Sequence, residues 1–137
     1  MNLDPSAFVA DPELIKALDR HSLPIVCEED RILFHQGEAP DGLYILNTGD
    51  ATLSMTTPGG DSVVSMHVVA GSLLGLPGVI SNQPYTLTAI AHNGARLSYV
   101  CRDEFTALMQ TEPLLSLRIL QVLAAEVSSA RRALVDL

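Results

Sequence analysis

The chain has 137 residues, of which 47% are hydrophobic and 18% charged, and this balance excludes an intrinsically disordered protein and predicts one compact domain. Eight Lys and Arg residues against sixteen Asp and Glu residues give a net charge of −8, which disfavours direct binding of nucleic acid or of an anionic membrane. Two cysteines, Cys27 and Cys101, are too few for a disulfide framework, so we expect reduced thiols in a cytoplasmic protein.

The first predicted element is a helix over residues 12–20. Asp11 followed by Pro12 is typical of a helix N-terminus, because the carboxylate accepts from free backbone N–H groups and proline suits the first helical position. Leu14, Ile15 and Leu18 then recur on one face. The residues before this helix lack the basic region and apolar stretch of an export signal, so we expect none.

Residues 21–100 are predicted to form antiparallel β structure. Short β-rich segments alternate with turn sequences at residues 36–38, 41–42, 47–50 and 58–60, the spacing of a sandwich or barrel. Residues 62–95 carry no charge, but glycines and prolines divide them into pieces shorter than the roughly 20 residues of a membrane helix. From residue 71 onwards we expect a loop with a short helix at 71–81, then strands at 85–91 and 96–100.

Residues 102–137 are predicted to form two helices. Asp103 and Glu104 place acidic side chains in the first turn of one helix, and Pro113 begins a second, longer one. The long helix carries a coiled-coil pattern, with apolar residues at alternating spacings of four and three. A helix packed on its own β domain is the alternative, but Leu114, Leu117 and Ile119 offer further apolar faces for that contact. We therefore expect a homodimer whose interface contains Leu120, Leu123, Val127, Ala130 and Leu134.

The order of these elements resembles the sensor half of the CRP/FNR family of bacterial regulators. The segments RILFHQGE (31–38), GLYILNTGD (42–50), GSLLG (71–75) and RDEFTAL (102–108) are similar to motifs of that family in the same order. The resemblance implies a double-stranded β-helix, or jelly roll, of the cyclic-nucleotide-binding type, with a phosphate-binding cassette at 71–89 and a long dimerisation helix. Family members usually continue into a helix-turn-helix domain, and residues 1–137 include no such segment. The resemblance therefore implies either a fragment of a longer regulator or a separate sensor.

The cassette departs from the family at two positions. The family's glutamate, which takes the ribose hydroxyl, corresponds to Leu76, and its phosphate-binding arginine corresponds to Tyr85, whereas Thr86 matches the hydroxyl residue that follows. Losing a charge-assisted phosphate contact costs about 1.5–3 kcal/mol, so we expect weak or no binding of cyclic AMP and cyclic GMP. The candidate ligand-binding residues are Gly71, Ser72, Leu74, Gly75, Leu76, Tyr85, Thr86 and Thr88.

We expect the ligand to be a neutral or weakly anionic small molecule, since the predicted walls are apolar and only Ser72, Thr86, Thr88 and backbone amides are polar. The family's long helix also supplies polar contacts to the purine, and an ungapped match places Ala130 and Arg131 there, with Ser128 and Ser129 just before.

Other chemistry is weakly indicated. His21, His35, His67 and His92 are scattered along the chain without metal-ligand spacing, so we expect no metal site and no cofactor. Some relatives bind haem, which leaves His67, His92 or Cys101 open as an axial ligand. Because the chain holds no G-x-S-x-G turn, we expect no enzyme.

The sequence therefore predicts a non-catalytic regulatory domain that binds an effector in an altered cassette and signals to a separate output protein or a DNA-binding part. The alternative is a ligand-free dimerisation or protein-interaction module with a collapsed pocket. No membrane partner is expected.

Overall fold

Two four-stranded antiparallel sheets form the centre of the computed structural model, which describes residues 3–135. The strands are β1 (Leu23–Val26), β2 (Arg31–Phe34), β3 (Gly42–Thr48), β4 (Asp50–Thr56), β5 (Ser62–Val69), β6 (Leu73–Leu74), β7 (Thr88–Ala91) and β8 (Arg96–Cys101). The first sheet has the order β1-β8-β3-β6 and the second the order β2-β7-β4-β5. This arrangement is the predicted jelly roll.

Helices lie before, within and after the roll. A 3₁₀ helix (Pro5–Phe8) precedes α1 (Pro12–Asp19), α2 (Leu76–Ser81) lies within the cassette, and α3 (Arg102–Thr111) and α4 (Pro113–Val135) follow β8. Asp11 caps α1 as predicted, since its carboxylate accepts a hydrogen bond of 3.0 Å from the Leu14 N–H. The 3₁₀ helix was not predicted.

One hydrophobic core joins both sheets to the helices. β3 is buried on both faces from Gly42 to Leu46, because α3 packs on it in addition to the roll interior. Leu43, Ile45 and Leu97 from the first sheet and Leu53 from the second are at most 1% exposed. The sheets are thus held together by burial of long apolar side chains, the main stabilising contribution in a domain of this size.

Helix α4 packs on the domain through a face that differs from the predicted one. Ile119, Val122 and Ala133 are buried, whereas Leu114 and Leu117 are 75% and 54% exposed, so the expectation that those two leucines contact the domain is wrong. Arg118 ties α4 to the start of α1 by an ion pair of 2.7 Å with Asp11. The residues that face the domain follow Ile119 at spacings of three or four, which places them on one side of the helix.

The opposite side of α4 is apolar and exposed. Leu120, Val127 and Leu134 are 59%, 49% and 58% exposed, and each lies seven residues after the previous one, which is the spacing of a coiled-coil seam. By length and composition alone α4 also meets the requirement for a membrane span, and 17% of its most apolar 18-residue stretch is buried. Its contacts with the 3₁₀ helix, α1 and α3 place it against the roll.

The structure differs from the predicted elements within the cassette. Residues 85–87 are an irregular segment rather than the start of a strand, since β7 begins only at Thr88, and a two-residue strand, β6, precedes α2. Residues 136–137 of the predicted second helix lie outside the described residues.

Candidate functional site

A cavity of about 270 Å³ lies between the second sheet, the cassette and α4. Its walls are almost entirely apolar, and the cavity is smaller than most pockets that hold drug-sized ligands. The lining residues are Leu3 and Phe8 from the N-terminal segment, Phe34, Leu53 and Met55 from the sheet, Gly75, Pro77, Gly78, Tyr85, Thr86 and Leu87 from the cassette, and Leu123, Glu126, Val127 and Ala130 from α4.

The cassette helix α2 is short and poorly suited to binding an anion. It spans six residues, its N-cap is Gly75 in the left-handed conformation (φ +91°), and no side chain among residues 3–135 caps it. Pro77 lies in the first turn and has no N–H, which removes one of the amides that a helix N-terminus offers to a phosphate. The Val79 N–H is already bonded to the Gly75 carbonyl oxygen at 3.2 Å.

Tyr85 occupies the side of α2 where the resemblance places a phosphate-binding arginine. Its ring is 3% exposed and stacks on Phe34, with centroids 3.9 Å apart and planes 19° apart. The ring also lies close to Gly75, where an added Cβ would be 2.9 Å from the Tyr85 ring. Tyr85 therefore both lines the cavity and belongs to the core.

The Tyr85 hydroxyl is held at the start of β3. It accepts from the Asp41 and Gly42 N–H groups at 3.2 and 3.1 Å, and its proton is directed to the Asp41 carboxylate or the Gly42 carbonyl oxygen at 2.8 and 2.7 Å. Burial raises the pKa of this hydroxyl well above its usual range, so the phenol stays neutral. The Tyr85 hydroxyl is therefore already fully hydrogen-bonded and is not free to bind a ligand.

The structure brings together three of the eight predicted ligand-binding residues at the cavity, namely Gly75, Tyr85 and Thr86. Ser72, Leu74 and Leu76 are at most 1% exposed and pack into the core. Gly71 lies against Val9, and the Thr88 hydroxyl accepts from the Gln36 N–H at 2.9 Å. Leu73 and Val79 are likewise buried and do not line the cavity.

Glu126 is the titratable side chain of the cavity, and the sequence analysis missed it. It is half-buried, and its Oε1 atom is buried without a hydrogen-bond partner among residues 3–135. Burial raises the pKa of this carboxyl to about 8, so it is mostly protonated at neutral pH. A signal was present, because Glu126 falls in the same row of α4 as the buried Val122 and Ser129.

The polar residues of α4 that were compared with the family do not face the cavity. The Ser129 hydroxyl is buried and accepts from the Asp4 N–H at 2.7 Å, which anchors the N-terminal segment to α4. Ser128 and Arg131 are exposed, and only Ala130 of the positions compared with the family lines the cavity. The haem candidates lie elsewhere: Cys101 ends β8 in the first sheet, His67 lies in β5 of the second sheet, and His92 directly follows β7.

Comparison with known proteins places this fold among cyclic-nucleotide sensors. The family model described as "Cyclic nucleotide-binding domain" matches residues 24–112, more than half of the chain. A CRP-like cAMP-activated global transcriptional regulator of Mycobacterium tuberculosis is 24% identical over 127 residues, which are 93% of this chain and 57% of that protein.

Solved structures show the same fold. The catabolite activator protein of Thermus thermophilus superposes with a TM-score of 0.79 at 21% identity, covering 96% of this chain and 62% of that one. The c-di-GMP-responsive regulator CLP of Xanthomonas campestris superposes with a TM-score of 0.69 at 18% identity, covering 92% and 60%. The chain thus spans less than two thirds of these relatives. With the family model matched across β1 to α3, it belongs to the family of cyclic nucleotide-binding domains.

Proposed function

We propose that the chain is the sensor domain of a CRP/FNR-type regulator that binds a neutral, mostly apolar small molecule instead of a cyclic nucleotide. The observation that supports this most directly is the composition of the cavity, whose walls are apolar and whose acidic group is the carboxyl of Glu126. A phosphate brought beside Glu126 would meet no described lining residue of positive charge, and above about pH 8 it would meet a carboxylate.

The position of Tyr85 supports the same conclusion. A cyclic phosphate bound at α2 in the family's mode would have to displace a ring that is stacked on Phe34 and bonded to the backbone of Asp41 and Gly42. Breaking those contacts leaves the buried Gly42 N–H and the part-buried Asp41 N–H without their partner, and the loss at a buried group costs about 1–3 kcal/mol.

Glu126 specifies part of the ligand's chemistry. A protonated carboxyl both donates and accepts hydrogen bonds, so it pairs with a single polar group such as an indole N–H or a hydroxyl. A ligand gains more affinity from a hydrogen bond to this carboxyl than to an exposed one, because the Oε1 atom of Glu126 is buried and has no partner among the described residues. The ligand is therefore a small apolar molecule with one hydrogen-bonding group, and the weakly anionic ligands of the sequence-based expectation are less favoured.

The proposed output is a change in the pairing of α4. Leu123, Val127 and Ala130 line the cavity and also belong to the predicted homodimer seam, so a bound molecule contacts the side chains that set the helix pairing. The domain works as a non-catalytic cytoplasmic homodimer in this proposal, and a second copy rather than a membrane covers the exposed side of α4. The signal passes to a DNA-binding part or a separate output protein.

Isothermal titration with cyclic AMP and cyclic GMP tests the first half of the proposal. We expect no heat of binding at millimolar nucleotide, and a micromolar dissociation constant that survives moderate salt would overturn the altered specificity.

Titration with indole, followed by methyl chemical shifts, tests the second half. We expect shifts at the cavity methyls of Leu53 and Leu123, and none at Leu14, a core residue outside the cavity lining. If saturating indole moves neither cavity methyl, the alternative of a ligand-free interaction module takes the place of the sensor.

A further inference from the structure

Three side chains from different strands meet on the outer face of the second sheet. The ligand atoms of Asp50, His67 and His92 all lie within 4.8 Å of one another. Asp50 begins β4, His67 lies in β5, and His92 directly follows β7, so the sequence separates residues that the sheet brings together. This cluster is distinct from the cavity, because Leu53 lines the cavity and the alternating side chains of β4 place Asp50 and Thr52 on the other face.

Strand pairing explains why the cluster forms. Thr52 lies opposite His67 in the β4–β5 register, and Asp50 is two residues earlier on the same face. The backbone N–H of His92 donates to the Asp50 carbonyl oxygen at 3.1 Å, which fixes the start of the β7–β8 turn against β4. The positions of the three side chains are therefore set by paired backbone and not by a loose loop.

The separations suit a small divalent cation. His67 Nδ1 is 3.7 Å from Asp50 Oδ2, and the two imidazole rings have centroids 5.8 Å apart. Two ligand atoms bound to one tetrahedral Zn²⁺ at about 2.0–2.1 Å lie about 3.3 Å apart, so small side-chain rotations complete the geometry. His67 and Asp50 have side chains that are 72% and 54% exposed, and they are free to make those rotations.

The outer partner of His92 is also in place. His92 Nδ1 is 3.4 Å from the Asp30 carboxylate, which is itself held by the Asn93 N–H at 2.8 Å. Metal-binding histidines commonly donate their second ring N–H to a carboxylate in this way, which fixes the ring and directs the other nitrogen at the metal. Here that nitrogen, Nε2, faces the Thr52 hydroxyl at 2.6 Å, inside the cluster.

Thr52 bridges the two rings. Its hydroxyl is 2.6 Å from His92 Nε2 and 3.4 Å from His67 Nδ1, so it occupies the space that a cation shared by both rings would use. A hydroxyl is a weaker partner for two imidazoles and a carboxylate than a borderline divalent ion, and it can rotate away from the ring nitrogens.

We propose that Asp50, His67 and His92 form a binding site for one Zn²⁺ ion per chain, with Asp30 as the outer partner of His92 and a fourth position open to water. Two imidazoles and one carboxylate favour Zn²⁺ over Mg²⁺ or Ca²⁺, which prefer oxygen ligands alone. The net charge of −8 also favours a cation. The bound ion links β4, β5 and the β7–β8 turn.

Isothermal titration of the purified chain with Zn²⁺ tests the site. We expect one equivalent with a micromolar dissociation constant, and a loss of at least about tenfold in affinity for His67→Ala and for His92→Ala. The double variant His21→Ala with His35→Ala is the matched control, because both side chains are exposed histidines outside the cluster, and it should bind as the unaltered chain does.

Two further measurements distinguish Zn²⁺ held by this cluster from Zn²⁺ held by scattered surface histidines. Thr52→Val removes the bridging hydroxyl and should leave Zn²⁺ affinity unchanged or higher, and a large loss would contradict the proposed ligand set. NMR of the unaltered chain should show Zn²⁺-dependent shifts of the ring nitrogens of His67 and His92. If those shifts appear at His21 or His35 instead, or if His67→Ala and His92→Ala bind Zn²⁺ as tightly as the unaltered chain, the proposal is wrong.

Discussion

The rings of Tyr85 and Phe34 stack with centroids 3.9 Å apart, so Tyr85, at the position where the resemblance implies a phosphate-binding arginine, is a packed part of the core. The hydroxyl at the other end of Tyr85 bonds the backbone at Asp41 and Gly42. A residue held at both ends resists displacement by a ligand. We propose that this packing both stabilises the cassette and disfavours a cyclic phosphate there.

Tyr85→Phe should therefore lower the free energy of unfolding by about 1–3 kcal/mol, because the buried Gly42 N–H loses its acceptor while the stacked ring remains. Urea denaturation monitored by circular dichroism measures the change. Tyr99→Phe is the matched control, since the hydroxyl of Tyr99 makes an exposed bond of 2.9 Å to the Asp41 carbonyl oxygen and should cost less. Equal losses in the two variants would contradict this role of Tyr85.

Glu126 should make the stability fall as the pH rises. Its pKa is raised in the folded chain to about 8 from an unfolded value near 4.5, so the folded state binds the proton more tightly. The free energy of unfolding is therefore highest below about pH 4.5. It falls as the pH rises from 4.5 through 8, by on the order of 1 kcal/mol per pH unit.

Glu126→Gln keeps the shape of the side chain and removes the titration, so it should stabilise the chain at pH 8.5 and have little effect at pH 4.5. Thermal unfolding at the two pH values measures the difference. Glu104→Gln is the control, since Glu104 is exposed on α3 and lies outside the cavity. A pH-independent effect of Glu126→Gln would show that burial does not raise the pKa of this carboxyl.

Leu120→Glu should convert a homodimer to a monomer. Leu120 is 59% exposed and lies on the seven-residue seam with Val127 and Leu134, so a carboxylate there places like charges against each other across a paired helix. Sedimentation velocity at tens of micromolar measures the oligomeric state.

Leu114→Glu is the control for the helix pairing, because Leu114 is 75% exposed on α4 but lies off the seam. It should leave the dimer intact. A monomeric unaltered chain at the same concentration would contradict the proposed dimer.

Gly49→Ala should destabilise the turn between β3 and β4 more than Gly60→Ala destabilises the turn between β4 and β5. Both glycines have positive φ angles, +85° and +90°, so both substitutions carry the left-handed backbone cost of about 1–2 kcal/mol. Only at Gly49 would the new Cβ also lie 2.8 Å from a backbone atom, Cα of Ala95. Urea denaturation of both variants measures the difference, and equal losses would show that the Ala95 contact carries no cost.

Local physics accounts for the parts of this protein that could be predicted. The cap at Asp11 and the strand segments around Leu43 and Leu53 depend on neighbouring residues, because hydrophobic periodicity and capping act over a few positions. The order of these elements was enough to predict the jelly roll and the family. The departures from the family at Leu76 and Tyr85 stay a prediction from the resemblance.

Long-range packing decided the rest. Glu126 faces the cavity only because α4 and the cassette lie on two sides of it. Since Glu126 is far from residues 71–89 along the chain, the sequence of the cassette gives no indication of this carboxyl. His67 and His92 approach each other only through the pairing of β4 with both β5 and β7. Leu114 was assigned to the wrong side of α4, because an apolar helix allows several buried faces and only the docking of Ile119 selects one of them.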